Sequence, residues 1–320
     1  MKSRQVGYVL IALILLGVGG LIGRIITDSS NQFVMKGLMP ISGDVIDKVQ
    51  ITEGDITSEL IKVTDEVWRV GKHNVFSPRM NDFWSHVNDI PQAQLVARKS
   101  KHHDLLGVTG KNNITITFFL GPSIQEEFHI GNWSPEVKLC YVRKPGKDET
   151  YVIPCERDGV FSANPDTWRD PIVVSIPPQT IESFEFIFPN SKDSYKVLRG
   201  SGDDWLVTTR NGDGNGENDG IADTQFMSVL TQTVNIVPAL GFEEDSIAKT
   251  LDFDAPDGAL RINTYKDSGS PTTRIKLIRK DESTYYAKIP SQSTVYIIDG
   301  AMAEFLMSKR EMMEIPRLRH

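Results

Sequence analysis

One stretch of the sequence, NGDGNGENDGIAD at Asn211–Asp223, has the residue types of a metal-binding loop. Its acidic and amide side chains alternate with glycines, and calcium prefers oxygen ligands presented by turns of this kind. The calcium candidate is a loose cage of four side chains, Asn215, Glu217, Asp219 and Asp223. The alternative is a solvated loop that holds no ion.

The EF-hand template fits the loop in neither available register. With its start at Asp213, the template places Asn218 where glycine is required and Thr224 where a bidentate glutamate belongs. With its start at Asn215, the last position is Phe226. We therefore interpret the segment as an extended connection between a strand and a helix, with the calcium cage as the alternative.

Other patterns do not combine into a catalytic site. The adjacent histidines of KHHD, at Lys101–Asp104, have no third metal ligand placed by spacing, so we predict a surface turn there. No serine lies in a nucleophile elbow, and no glycine loop with a lysine follows a predicted strand. The sequence predicts a protein that is not an enzyme and that has no resident cofactor.

The only two cysteines, Cys140 and Cys155, flank the predicted hairpin CYVRKPGKDETYVIPC. A two-residue turn at Lys147 and Asp148 places them directly opposite each other, which allows a disulfide in an oxidising compartment. In an antiparallel hairpin the numbers of two opposed residues add up to a constant. If this sum differs by two from that of the first register, the cysteines are diagonal neighbours, and we expect them to be too far apart for a disulfide. The pair is the disulfide candidate, and both registers stay open.

Composition and charge limit the classes of partner. The chain has 320 residues, of which 39% are hydrophobic, and such a chain can bury one large core or two ordinary ones. Its net charge is -7, and no lysine and arginine cluster forms a basic stretch. Because phosphate backbones are recognised by basic surfaces, we predict no nucleic-acid partner.

The N-terminus predicts a membrane anchor. The segment Val6–Gly23 carries no charge, and as a helix it spans roughly 27 Å, close to the hydrocarbon thickness of a bilayer. Arg24 can extend its charge to the interface, so the predicted transmembrane helix covers 6–26. Lys2 and Arg4 favour a single-pass protein of the cytoplasmic (inner) membrane with its N-terminus inside and an extracytoplasmic body. A cleaved signal peptide is the alternative.

After the anchor, the sequence contains an internal duplication. Both VIDKVQITEGDITSELIKVTDEVWRV at Val45–Val70 and TIESFEFIFPNSKDSYKVLRGSGDDWLV at Thr180–Val207 alternate apolar and polar residues around a turn and end near a tryptophan, which is typical of a β-hairpin. A repeat of about 135 to 145 residues is far longer than a solenoid unit, so we predict duplicated domains. The predicted segments are a tether at 27–44, repeats at 45–178 and 179–308, and a tail at 309–320.

A short helix follows the hairpin in each copy. Asn81 or Asp82 in the first copy and Asp223 in the second stand where an N-cap begins a helix. The helices are matched as three residue pairs: Phe83 with Phe226, Ser85 with Ser228, and Val87 with Leu230. The predicted fold class is α+β: two tandem duplicated domains behind a single N-terminal transmembrane helix, each an antiparallel sheet of about five or six strands with one or two short helices.

The five tryptophans fall into two groups. Trp68 and Trp205 occupy equivalent positions at the ends of the two hairpins, and we predict that both are buried in the cores. Trp84, Trp133 and Trp168 have no counterpart in the other copy. These three are the candidates for a functional surface.

The pattern of hairpin, helix and strands resembles the bacterial domain-of-unknown-function family 4340. It is carried by the tryptophan-ended hairpins, the helix IADTQFMSVLTQTVNIVPA and the strands FHIGN, YVR and TYVIP, and it covers Val45 to Leu306. The resemblance implies a membrane-anchored extracytoplasmic protein, similar in some members to auxiliary parts of gliding-type ABC transporter systems, and it carries over no catalytic residue. The chain departs from the family at LLGVTGKNN, Leu105–Asn113, where a glycine-leucine-aspartate turn is usual.

Together, these observations predict a non-enzymatic, membrane-anchored extracytoplasmic protein that serves as an accessory or scaffold component of an ABC transporter-type membrane assembly. Its expected partners are the membrane and other membrane or periplasmic proteins. The alternative is a binding module for a glycan, peptidoglycan or calcium-dependent ligand. A surface cleft rich in tryptophan and carboxylates favours the alternative, whereas co-purification of a permease and an ATPase favours the accessory function.

Overall fold

The computed structural model describes residues 41–90, 93–110, 113–134, 136–155, 160–201, 204–209, 220–265 and 272–315. The chain divides into two compact units between Arg169 and Asp170. The predicted anchor at 6–26 lies outside the described residues. Within the part that is described, no helix is both long and apolar enough to cross a bilayer.

The first unit is built on one antiparallel sheet. Its strands are β1 Lys48–Glu53, β2 Ile56–Lys62, β3 Trp68–Val70, β4 His73–Asn74, β5 Gln94–Ala97, β6 Ile114–Leu120, β7 Ser123–Ser134, β8 Leu139–Arg143 and β9 Thr150–Pro154. They are hydrogen-bonded in the order β4-β3-β2-β1-β6-β7-β8-β9-β5. The helices lying wholly within the described residues of this unit are α1 Ser77–Asp89 and α2 His103–Leu106, with 3₁₀ turns at Ser100–His102 and Pro165–Trp168.

Helix α1 covers the core face of this sheet. It begins after Phe76, with Pro78 in its first turn. The N–H groups of the first turn have no partner within the helix, so proline can stand there without the loss of a helical hydrogen bond. The N-cap predicted at Asn81 or Asp82 is therefore wrong, because both residues lie inside the helix. The start of the helix was set by proline rather than by a capping carboxylate or amide.

The buried side chains of α1 recur at helical spacing and meet the inward residues of the strands. Met80, Phe83 and Val87 form the buried stripe of the helix. The ring of Phe83 lies 6.2 Å from that of Phe118 on β6 and 5.6 Å from that of Trp168. Each fully buried side chain of this size contributes about 1.5–3 kcal/mol to stability.

The second unit repeats this architecture. Its strands are β10 Ile172–Val174, β11 Ile181–Ile187, β12 Tyr195–Arg199, β13 Trp205–Thr209, β14 Gly220–Ile221, β15 Val237–Pro238, β16 Gly241–Phe242, β17 Gly258–Thr264, β18 Thr272–Arg279, β19 Thr284–Lys288 and β20 Val295–Asp299. The large sheet has the order β14-β13-β12-β11-β17-β18-β19-β20-β16, which follows the same path as the first sheet, and β10 pairs with β15 separately.

The described residues of the second unit also form four helices. They are α3 Thr224–Thr233, α4 Asp245–Ala248, α5 Gly300–Leu306 and α6 Arg310–Met313, with 3₁₀ turns at Pro178–Thr180 and Ser191–Asp193. The N-cap predicted at Asp223 is confirmed, since its Oδ1 accepts a hydrogen bond from the backbone N–H of Phe226 at 2.8 Å.

The sequence match between α1 and α3 is wrong by one turn. Counted from the caps at Phe76 and Asp223, the buried residues Met80, Phe83 and Val87 correspond to Met227, Leu230 and Val234. A shift of four residues brings a helix back to nearly the same face. The apolar spacing therefore fits both alignments equally well.

Each large sheet has nine strands, which corrects the prediction of about five or six. The additional strands are short: β3 has three residues, β5 has four, and β4, β14 and β16 have two each. A strand of two to four residues is too short to display a period of two in the sequence.

The predicted boundary between the repeats, at 178–179, falls after β10. The structure instead divides the chain between Arg169 and Asp170, so that β10 belongs to the second unit. The reason is the pairing of β10 with β15, which joins Ile172 to Pro238 and Val174 to Val237. The sequence prediction located the second repeat by its hairpin, which begins at Thr180. β10 lies before this hairpin, so the hairpin pattern could not reveal that β10 belongs to the second unit.

Candidate functional site

The calcium candidate lies mostly outside the described residues, which exclude Asn215, Glu217 and Asp219. The fourth member, Asp223, caps α3 through the hydrogen bond to the Phe226 N–H. In the ranges that the structure describes, no group of three histidine, cysteine or acidic residues is placed to hold a metal ion. The calcium cage stays a prediction.

The KHHD segment lies at the surface, as predicted, but it is helical and one of its histidines is buried. His103 is buried, and its Nε2 lies 2.8 Å from the carbonyl oxygen of Asp148 in the β8–β9 hairpin. Asp104 instead accepts a hydrogen bond from the Thr109 hydroxyl at 2.6 Å. The two side chains hold the start of α2 and the turn after it, and they do not share a site.

The tryptophans are distributed partly as predicted. The burial of Trp68 and Trp205 is confirmed, with 6% and 4% of each residue exposed. Trp168 corrects the prediction of a functional surface, because it is fully buried and its Nε1 donates to the carbonyl oxygen of Ser162 at 2.8 Å. Trp84 and Trp133 are half-buried at the edge of the first core.

The structure joins Cys140 and Cys155 in a disulfide, with their Cα atoms 5.7 Å apart. The register of β8 and β9 pairs Cys140 with Ile153, so the two cysteines are diagonal neighbours. The sequence argument that a diagonal pair is too far apart is therefore wrong. Cys155 lies beyond the end of β9, and its N–H donates at 2.9 Å to the carbonyl oxygen of Lys138, a residue with a positive φ of 50°.

A cleft in the first unit combines tryptophan with carboxylates. Lys62, at the end of β2, organises it: the Nζ donates to the carbonyl oxygens of Gly43 and Asp44, each at 3.2 Å, and forms an ion pair with Asp65 at 3.1 Å. This ammonium group therefore connects the segment before β1 to the turn between β2 and β3. Both segments line the cleft.

Two tryptophans form the aromatic wall of the cleft. Trp84 comes from α1 and Trp68 from β3, and their ring centroids are 5.9 Å apart at an angle of 52°. Gly43 packs onto Trp84 so closely that a Cβ there would lie 3.0 Å from its Cε2. A side chain at position 43 would push the rim away from the indole ring.

The cleft has a volume of about 520 Å³, within the usual range for small-molecule sites. Three carboxylates surround it, from Asp44, Asp65 and Glu66, while Ser77 and Asn81 add neutral polar groups. Carboxylates accept hydrogen bonds from hydroxyl and ammonium groups, and indole faces attract cations. The arrangement therefore suits a ligand that carries hydroxyl or amine donors next to an apolar surface.

The equivalent position of the second unit differs in the residues that the structure describes. Arg199 stands opposite Trp205 as Lys62 stands opposite Trp68, but its guanidinium carbon lies 5.1 Å above the Trp205 ring. Counted from the helix caps, the residue that corresponds to Trp84 is the buried Thr231. The sequence argument missed the carboxylates of the cleft, although the acidic turn directly before Trp68 was a signal.

A second cluster of titratable groups lies on the first sheet. The buried guanidinium of Arg143 donates twice to the carbonyl oxygen of Val108, and its Nη2 lies 2.7 Å from Nδ1 of His129. Arginine only donates, so this imidazole nitrogen accepts and the ring is neutral. Burial and the charge of Arg143 lower the pKa of His129, and they outweigh Glu127, which raises it.

This lowered pKa predicts a loss of stability in acid. At pH values near and below 6.5, the folded protein binds fewer protons at His129 than the unfolded chain does. The contribution of His129 to the free energy of unfolding is therefore fully present above the ordinary pKa of 6.5 and decreases as the pH falls below it. We expect His129→Gln to lose less thermal stability than the parent between pH 7.5 and pH 5.5. Calorimetric melting at several pH values measures this, and equal pH dependence in both proteins would contradict it.

Comparison with known proteins identifies a family. No curated protein matches the chain. Two solved structures of the DNA polymerase sliding clamp from Pseudomonas aeruginosa, one with ligand, are 8% and 7% identical and have TM-scores of 0.16 and 0.15. The matches cover 84% and 80% of this chain but only 60% and 56% of the clamp chains, and scores this low carry no argument about fold or function.

The family model of a domain of unknown function, DUF4340, matches residues 77–256. The matched region starts with α1 in the first unit and ends before β17 in the second, so it includes β5–β9 of the first unit and the tryptophan-ended hairpin of the second, but not β1–β4. It is shorter than the range from Val45 to Leu306 over which the sequence resembles the family. The match covers more than half of the chain, which therefore belongs to the DUF4340 family.

Proposed function

We propose that this chain is a non-enzymatic extracytoplasmic binding protein, held at the membrane by its N-terminal apolar segment, and that it binds a glycan or peptidoglycan fragment in the cleft of the first unit. The observation that carries this proposal is the meeting of Trp84 and Trp68 with the carboxylates of Asp44, Asp65 and Glu66. A sugar ring presents an apolar face to an indole and hydroxyl groups to carboxylates, and the free amine of a muropeptide supplies a cation.

The proposal predicts that Trp84 and Glu66 determine affinity. We expect Trp84→Ala to weaken binding of a soluble muropeptide at least tenfold, because stacking and cation attraction at an indole contribute about 1–2 kcal/mol or more when the site is desolvated. Glu66→Gln removes one charge from an exposed position and should weaken binding by severalfold without altering the fold. Isothermal titration calorimetry with muropeptides and chitotetraose measures both effects.

The matched control is Trp133→Ala, which removes another half-buried tryptophan of the first unit outside the cleft. Circular dichroism before and after heating shows whether each variant is folded. Unchanged affinity in folded Trp84→Ala and Glu66→Gln would refute the cleft as the binding site. No binding of either probe to the parent would refute the ligand class.

A second candidate is the accessory or scaffold function in an ABC transporter-type membrane assembly. It is favoured by the repetition of one strand order in two units, because two linked modules can engage an assembly at two points and so increase avidity. In this reading the chain arose by duplication and contacts other membrane or periplasmic proteins. The anchor would keep the body at a high local concentration beside them.

The scaffold function predicts dependence on the anchor. We expect a body released from its apolar N-terminus, by a cleavable site placed after Thr27, to fail in complementing a deletion strain, whereas the cleft variants Trp84→Ala and Glu66→Gln complement it. A released body that restores function in full would argue against the scaffold. Complementation lost in the cleft variants would favour ligand binding instead.

A further inference from the structure

The second sheet carries a concentration of positive charge on the face opposite its core. Alternation buries Val197, Leu260 and Leu277 toward the core, so that their strand neighbours point to the other side. The cationic residues on that side are Lys196 on β12, Arg261 on β17, Arg274 and Lys276 on β18, and Lys288 on β19. We call these five residues the basic face.

Like charges stand directly opposite each other on this face. Arg261 pairs with Arg274 across β17 and β18, and Lys276 pairs with Lys288 across β18 and β19. Opposed like charges destabilise a pair of strands. An anion placed over them would remove this repulsion.

The described residues of the unit neutralise only part of the positive charge. Glu185 forms an ion pair with Arg261 at 2.8 Å, and Asp254, whose side chain is 99% exposed, forms one with Lys276 at 3.2 Å. Lys196, Arg274 and Lys288 have no ion pair with any residue that the structure describes. An exposed carboxylate such as Asp254 is also strongly screened by salt.

Arg274 has a buried donor, its Nε, that lacks a hydrogen-bond partner in the described part of the chain. A guanidinium group has five N–H donors and favours paired oxygen acceptors such as those of a phosphate. A buried donor without a partner is costly, so the described residues alone satisfy this guanidinium poorly.

The equivalent row of the first sheet has the opposite charge. Across β2, β1, β6 and β7 it consists of Glu59, Gln50, Thr117 and Glu127, in which Gln50 donates to Glu59 at 3.4 Å and Thr117 donates to Glu127 at 3.3 Å. The row of the second sheet is Lys196, Glu185, Arg261 and Arg274. The basic face is therefore a feature of the second unit and not of the shared architecture.

The spread of the cations over the face indicates what kind of anion fits. Lys196 and Lys288 are separated by four strand spacings, about 19 Å. A single small anion needs donors that converge on one point, whereas these side chains extend from a sheet side by side. Leu198, Ile278 and Tyr286 lie among them and provide apolar surface at the same level.

We propose that the basic face docks on the phosphate head groups of anionic phospholipids at a membrane surface. A planar array of phosphates matches the spread of the cations, and basic residues close to such a surface bind it with an attraction that falls off within a Debye length. The inference goes beyond ligand binding in the cleft, since it concerns another unit and another chemistry. It assigns membrane contact to the second unit and not to the first.

The test uses the full-length protein incorporated in vesicles of phosphatidylcholine, with and without phosphatidylglycerol. Lysines are labelled with a small amine reagent, and the rates are read by mass spectrometry. We expect phosphatidylglycerol to slow the labelling of Lys196 and Lys288 at least threefold and to leave Lys48, on the first sheet, unchanged. Salt at 500 mM should abolish the protection. No difference between the two kinds of vesicle would refute the proposal.

The matched variants reverse one charge on the same strand. Arg274→Glu replaces a cation of the basic face. Arg279→Glu replaces a cation outside that face, which stacks on Tyr285 and forms an ion pair with Glu304. Protection should be lost in the first and kept in the second, with circular dichroism showing that both are folded. If inorganic phosphate protects these lysines in neutral vesicles, the face is a site for free phosphate, and membrane docking is refuted. If protection depends only on the density of protein in the vesicles, the face contacts a second copy of the chain, which also refutes membrane docking.

Discussion

Replacement of Trp168 by alanine is expected to lower the free energy of unfolding of the first unit by about 3–5 kcal/mol, the usual cost of removing a large aromatic side chain from a core. The side chain is fully buried, its ring lies 5.6 Å from that of Phe83, and its Nε1 is hydrogen-bonded to Ser162. The backbone carbonyl of Trp168 also accepts from the N–H of Phe76, directly before α1. Loss of the indole ring would therefore loosen the start of the helix as well.

Urea denaturation of the full-length protein measures this loss. Trp168→Phe should retain much of the stability, because it keeps an aromatic ring beside Phe83 and removes only the Nε1 donor. Leu105→Ala is the control, since that side chain is 76% exposed and its removal should change stability by less than about 0.5 kcal/mol. A loss below about 1 kcal/mol for Trp168→Ala would place this tryptophan on the surface, as the sequence alone predicted.

The second large effect concerns the disulfide. We expect the double variant Cys140→Ala and Cys155→Ala to lose about 3 kcal/mol, because a bond that closes a loop of this length removes conformational freedom mainly from the unfolded chain. The sequence separation is 15 residues, and both cysteines are buried. Alanine is chosen because serine would bury two hydroxyl groups without partners.

Reduction provides the matched experiment. A reducing agent should lower the melting temperature of the parent toward that of the double variant and leave the variant unchanged. Thiol labelling of the denatured, unreduced parent should detect no free thiol. Two free thiols per chain would contradict the disulfide that the structure places at the end of β9.

Local patterns in the sequence predicted the paired hairpins, two of the core tryptophans and one helix cap. The equivalent positions of Trp68 and Trp205 in the two hairpins predicted that both are buried, and the place of Asp223 before the helix predicted an N-cap. These predictions succeeded because side chains alternate across a strand and because a cap needs an acceptor at one defined position. Both are rules of neighbouring residues, which a single sequence displays.

The failures arose where the same pattern is compatible with two structures. The match of α1 to α3 was off by one helical turn because a shift of four residues preserves the apolar face. Trp168 was placed on a surface because it has no counterpart in the second copy, although burial depends on what packs around a residue. The sequence did not predict the short strands β4, β14 and β16, because two residues are too few to show the alternation of apolar and polar side chains.

The sequence by itself determined the membership of the family and the mostly antiparallel, twice-repeated character of the chain, because both follow from motifs and from alternation between neighbours. Only the tertiary structure brought Asp44 and Asp65 to the two tryptophans of the cleft, and only the strand register placed Arg261 opposite Arg274. Contacts between distant segments depend on how sheets and helices pack. A local period records which side of an element a residue occupies, but it contains no information on which residues of other elements meet it there.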